Sequence, residues 1–178
     1  MNKKSNVVYR CQCALINAHR FHYVPKKTDF HRWINTTIQY VLRSHPSLMS
    51  LISSNKAHKA RVATICVLNV CVSLINESES AHLNLTYRHK KGPTNVLSFP
   101  YDHSLGDLAF CVPLIKQEAR QQKKTVRAHF AHLTLHGTLH LLGYDHQEEE
   151  DTRQMQSLET ILLETLLFNN PYKDTCLE

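Results

Sequence analysis

Two stretches alternate apolar and polar residues as a half-buried strand does: VVYRCQC, from Val7 to Cys13, and NVCVSLI, from Asn69 to Ile75. Two more, NVLSF (Asn95 to Phe99) and LGDLAFCV (Leu105 to Val112), are set off by Pro93, Pro100 and Pro113 and also predict strands. Helical spacing takes over elsewhere. TDFHRWINTTIQYVLRSH brings Phe30, Trp33, Ile34, Ile38 and Val41 onto one face, with Thr28 as candidate N-cap, Trp33 as core anchor and Pro46 as the stop. From His45 to Arg61 the pattern is weak and Ser/Lys-rich, and predicts a short helix or a loop. Glu77 to Tyr87 predicts a short helix, and a longer one starts near Leu114, with a break near Thr125. The next runs from His129 to Leu142, and EEEDTRQMQSLETILLETLLF predicts a last one, with its acids at the helix N-terminus and Met155, Leu158, Leu162 and Leu166 as a core stripe. Four strands and about five helices make an α/β (α+β) sandwich. Because the third and fourth strands are adjacent in the chain, a mixed sheet is expected.

At 178 residues the chain, 1–178, is expected to fold as one domain with a core of its own. No apolar run approaches the roughly 18 residues needed to span a bilayer, and MNKKSNVVYRCQC has no apolar export segment, so a cytoplasmic protein without membrane contact is expected. The six cysteines are then expected to be reduced and mostly buried, with Cys11 and Cys13 facing one side of a strand. Charge is divided along the chain. Residues 1–144 hold 19 Lys/Arg against 6 Asp/Glu, a balance of +13, whereas 145–178 hold 2 against 9, a balance of −7. A basic body of that kind favours polyanions, nucleic acid first.

The distinctive chemistry lies in HGTLHLLGYDH, His136 to His146. His136 and His140 are one helical turn apart, so their imidazoles project side by side and can close on one ion. His132 extends the stripe, but at 1.5 Å per residue it starts roughly 12 Å from His140, too far to share an ion with it. Gly143 can take the left-handed conformation that ends a helix, which lets His146 fold back as a third ligand. Three histidines leave one coordination position open, as catalytic zinc sites do, although imidazoles also suit nickel, copper and iron. The spacing is that of the metzincin proteases, H-E-x-x-H-x-x-G-x-x-H, with Gly137 in place of their catalytic glutamate. A missing side chain there would leave room beside the metal for a bulky substrate. Asp145, next to His146, is a candidate for orienting a ligand or transferring a proton, or is a turn residue with a solvated side chain.

In YRHKKGPTNVLSFP, Arg88, Lys90 and Lys91 crowd before a Gly-Pro turn that leads into a strand. They form either a solvated basic loop or a phosphate-binding group that holds a phosphodiester against the metal. Arg120, Lys123, Lys124 and Arg127, just before the histidine helix, could extend that track.

Taken together, HGTLHLLGYDH, TYRHKKGPTNVLSFP, LGDLAFC and the closing NNPY resemble the YbeY family of bacterial ribosomal-RNA maturation factors, over about Val70 to Tyr172. The resemblance implies a zincin-like metal site on a helix and its following turn, with Zn2+ on His136, His140 and His146. It implies a single-strand-specific endoribonuclease that matures the 3′ end of small-subunit ribosomal RNA and assists late small-subunit assembly and quality control. Its implied partners are ribosomal RNA, a small-subunit ribosomal protein and an assembly GTPase, with no role for DNA. The family's functional arginine maps onto Arg88. Where relatives commonly read Y-R-x-K-D, Lys91 replaces the acid.

The expected reaction is metal-assisted phosphodiester hydrolysis. A three-histidine zinc acidifies its water, so no carboxylate base is required, and Arg88 would neutralise charge on the phosphoryl group. Catalysis thus falls to Arg88 and Asp145, and substrate binding to Arg88, Lys90, Lys91, Lys123 and Lys124. Two other readings share the motif: a non-catalytic RNA-binding assembly factor with a structural metal, and a metzincin-like peptidase, against which Gly137 and the basic body count.

Overall fold

The computed structural model describes residues 7–45, 64–101, 104–146 and 148–172. Strands β1 (Val7–Ile16), β2 (Thr64–Ile75), β3 (Val96–Tyr101) and β4 (Ser104–Cys111) form one sheet in the order β1-β2-β4-β3. β1, β2 and β4 are parallel and β3 runs antiparallel to β4 at the edge, so the sheet is mixed, as the adjacency of the last two strands predicts. Five α-helices accompany them among the described residues: α1 (Lys27–Ser44), α2 (Glu77–Arg88), α3 (Val112–Gln121), α4 (Val126–Leu141) and α5 (Glu149–Thr165). The weakly patterned stretch before β2 falls mostly outside the described residues. No helix among the described residues is long and apolar enough to cross a membrane.

Alternation explains which face of the sheet is covered. Cys11 and Cys13 on β1 stand level with Leu68 and Val70 on β2, and these, with Leu108 and Phe110 of β4, point into the main core beneath α1, α4 and α5. Phe30, Phe110 and Phe130 meet at its centre with ring centroids 5.7 to 5.9 Å apart. The opposite face carries a smaller cluster, Ile75, Leu97 and Ala109, with Leu83 of α2 packed against it. Burial pushes the Cys11 thiol up to about 12 and Cys13 to about 11, which keeps both protonated and unreactive. Cys176 and the side chain of Cys66 lie outside the described residues.

Three helix starts are set by side chains, that of α2 by Asn76 and Glu79, each of which accepts the other's backbone N–H at 2.8 Å. At α1 the capping group is Asp29, not Thr28: its carboxylate accepts the Lys26 N–H at 3.0 Å, and helical geometry already begins at Lys27. The break near Thr125 is present. After α3 the chain passes through a left-handed Lys123 (φ 51°), and the Thr125 hydroxyl accepts the Ala128 N–H at 3.1 Å to start α4.

Gly137 serves packing, contrary to the expectation of substrate room. It is buried on the sheet side of α4, where an added Cβ would lie 2.8 Å from Leu108 Cδ2 and 3.2 Å from Ser98 Oγ. The helix therefore lies close on β3 and β4 because that position has no side chain. Gly137→Val should overpack this contact and lower stability by about 1–3 kcal/mol, read from urea unfolding of the metal-free protein. Unfolding at the wild-type midpoint would return Gly137 to the substrate side.

Candidate metal and RNA site

From His129 to Leu142, every residue of α4 and its cap is buried except His132, His136 and His140, which form one partly open strip. The helix ends at Leu141. Gly143 then adopts φ +91°, its N–H donates to His140 O at 3.0 Å and the Tyr144 N–H donates to Leu139 O at 3.1 Å. This left-handed reversal sends the chain back over the last turn and carries His146 to the other two. Ring centroids of His136, His140 and His146 lie 4.6, 5.0 and 5.5 Å apart.

One ring nitrogen from each histidine falls within 4.8 Å of the others, and the Nε2 atoms of His136 and His140 are 3.2 Å apart. Tetrahedral zinc, with Zn–N of about 2.0–2.1 Å, requires its nitrogens about 3.3 Å from one another. The donor set fits a cation of that class. Burial, and then the charges of His136 and His146, bring His140 down to about 4, so this imidazole is neutral and ready to ligate in ordinary solution. His132 stays out of the cluster, as its distance along the helix requires.

A cavity of about 630 Å³ opens on the histidines. Its walls include Arg88, Lys90, Asn95 and Ser98 on one side and Gly143, Tyr144 and Asp145 on the other. Arg88 is the last residue of α2, and His89 after it is left-handed (φ 56°), turning Lys90 toward the same opening. Two buried polar residues of α2 pin this turn. The Ser80 hydroxyl donates to Thr94 O at 2.7 Å and accepts the Thr94 N–H at 3.0 Å, while Asn84 Nδ2 donates to Gly92 O at 2.9 Å. Farther along, Glu118 of α3 accepts from Asn95 Nδ2 at 3.1 Å and meets His129 Nε2 at 2.7 Å.

The structure thus gathers His136, His140, His146, Arg88, Lys90 and Asp145 around one opening. It does not bring the remaining candidates there. Lys91 is exposed beyond the cavity wall. Lys123 and Lys124 line a separate groove with Asn169 and Pro171, and Lys124 Nζ donates to Pro171 O at 3.3 Å. They sit before the start of α4, whose first residue is roughly 15 Å along the axis from His136. Arg127 is occupied by the fold: its guanidinium pairs with Asp29 at 2.7 Å and lies 5.6 and 5.3 Å from the ring centres of Trp33 and Phe168. Asp145 accepts its neighbour's backbone N–H, that of His146, at 2.8 Å.

Sequence reasoning missed Glu159. This residue of α5, with only 1 % of its side chain exposed, places Oε1 2.7 Å from His136 Nδ1 and Oε2 3.0 Å from His132 Nε2. The Tyr172 hydroxyl donates to the same Oε2. Burial by itself would raise this carboxyl, but the hydrogen bonds from His132 and His136 outweigh it and hold Glu159 at about 2. The one available signal was an acid beside Leu158, inside the apolar stripe of α5.

Residues 24–167 match the family model described as endoribonuclease YbeY. The chain belongs to the YbeY endoribonuclease family. A relative from Coxiella burnetii, named endoribonuclease YbeY, is 41% identical over 165 residues, spanning 89% of this chain and 95% of its own. One of the same name from Nitrosococcus oceani is 39% identical over 159 residues, spanning 84% and 89%. The solution structure of a Thermotoga maritima protein matches at 18% identity with a TM-score of 0.43, covering 96% of this chain and 99% of that one.

The ligand assignment is open to direct titration. Zinc should bind at one equivalent per chain, and His140→Ala or His146→Ala should each weaken it by more than about 100-fold, beyond the usual cost of losing an outer partner. Competition against a chromophoric chelator measures this, and undiminished affinity in either variant would remove that histidine from the set.

Proposed function

We propose that the protein is a zinc-dependent endoribonuclease of the cytoplasm that cuts single-stranded ribosomal RNA, at the 3′ end of the small-subunit RNA, during late small-subunit assembly and quality control. The observation that carries this reading is the placement of Arg88 and Lys90 on the wall of the cavity into which the three histidines open, in a chain of an endoribonuclease family. A small-subunit ribosomal protein and an assembly GTPase are the partners the family resemblance suggests.

His136, His140 and His146 would hold a divalent cation, which would supply Lewis acidity toward a phosphoryl oxygen or a water. The other roles belong to this chain's side chains. Arg88 holds a phosphodiester in the opening by paired N–H donors and offsets the charge that gathers on its oxygens as the bond to phosphorus breaks. Lys90 adds a point charge on the same wall, with Lys91 at the margin and Lys123 and Lys124 reaching only RNA that runs on to their own groove. Asp145 is the carboxylate placed to take up a proton beside His146, with the RNA's own 2′-hydroxyl as an alternative nucleophile. Among the residues of α4 none offers a carboxylate base, since Gly137 is turned into the sheet.

Incubation of zinc-loaded protein with single-stranded RNA and with casein, beside His136→Ala, separates the nuclease from its rivals. RNA should be cut and casein left whole, and the substitution should abolish cutting. Tight RNA binding without cleavage, unchanged by His136→Ala, would make the protein a non-catalytic assembly factor. Arg88→Glu should lower kcat by about 10²–10³-fold with zinc content intact. Loss of zinc in that variant would instead tie Arg88 to the structure of the metal site.

A further inference from the structure

Glu159 is the one charged side chain of α5 that is buried, and it lies in the stripe formed by Met155, Leu158 and Leu162. A leucine would serve packing there without the cost of removing a carboxylate from water. Its surroundings answer that cost with donors. Oε1 meets His136 Nδ1, and Oε2 meets both His132 Nε2 and the Tyr172 hydroxyl. A carboxylate only accepts, so each of these neighbours must present a proton to it.

For His136 the consequence is chemical. With its proton on Nδ1, the lone pair of the neutral ring is on Nε2, the atom 3.2 Å from His140 Nε2 and turned toward the cluster. The other tautomer would leave two lone pairs facing each other at Glu159 and put a proton where an ion has to bind. Tyr172 is fixed in its turn, since its N–H donates to Asn170 Oδ1 at 2.8 Å, so the closing NNPY segment reaches the site through Glu159.

Resting on the metal reading above, we propose that Glu159 is a positioning residue: it holds His136 in the Nε2-ligating tautomer and orientation, with His132 and Tyr172 holding Glu159. A merely structural Glu159 would tie α4 to α5 and nothing more. Its loss would then lower stability and leave zinc affinity alone, whereas a positioning Glu159 acts on affinity and on the ring itself.

Three measurements on the full chain separate these. In the metal-free wild type, two-bond ¹H–¹⁵N imidazole correlations should show His136 protonated at Nδ1, and a proton at Nε2 would overturn the proposal without need of any variant. Zinc affinity of Glu159→Gln, by chelator competition, should fall about 10- to 100-fold, the range found when a ligand histidine loses its outer carboxylate. Tyr172→Phe should produce a smaller loss in the same direction. Wild-type zinc affinity in Glu159→Gln, whatever its melting temperature, would reduce the residue to a structural tie. None of these measurements contains RNA. A protein that behaves as expected here but cuts no RNA therefore defeats the nuclease reading alone, and one that takes up no zinc defeats the metal site and this proposal together.

Discussion

The close seating of α4 on the sheet is the contact on which the other features depend. Gly137 lets the helix approach β3 and β4 until Leu108 and Ser98 stand where its side chain would be. With α1 and α5 against its remaining sides, α4 is enclosed except along His132, His136 and His140. The opening that remains is bounded by β3 on one side and by the turn at Gly143 on the other, and that opening is the cavity. A glutamate at 137 would be driven into the sheet. The helix is therefore not a protease helix lacking a part, since its packing forbids that part.

Acids and histidines are distributed by the same enclosure. Each histidine of α4 beyond His136 and His140 is answered by a carboxylate from a neighbouring helix: His129 by Glu118 of α3, and His132 by Glu159 of α5. These pairs fix the helix in rotation as well as in depth. The surface charge is arranged otherwise, with acids at the start of α5 and the cations Arg88 and Lys90 at the cavity mouth. The positive charge of the body is thus not one continuous track.

The elements were legible because their signals are local. Strand alternation, the prolines around β3 and β4, and the break at Thr125 each act within a few residues. So do the three histidines and Gly143, which span one helix end and one turn, and their spacing alone brings them together. Residues whose role depends on a distant partner were not legible. Ser80 and Asn84 look like ordinary helix polars until the Gly92–Thr94 loop lies against them. Glu159 looks like a flaw in an apolar stripe until His136 faces it. Gly137 was misread because spacing along a helix does not say which side meets a sheet, and Arg127 because a count of cations does not say which are stacked on Trp33 and Phe168.

The position of Glu159 and Tyr172 in the chain bears on how the protein is made. Synthesis runs from the N-terminus, so His136, His140 and His146 are joined before the carboxylate that meets His136 and well before the tyrosine that meets the carboxylate. A nascent chain carries three bare imidazoles for the interval in which α5 is still being added. The last turn of the described chain is thus also the last part of the histidine site to arrive, and the surroundings of His136 are complete only once α5 and the segment after it have been made.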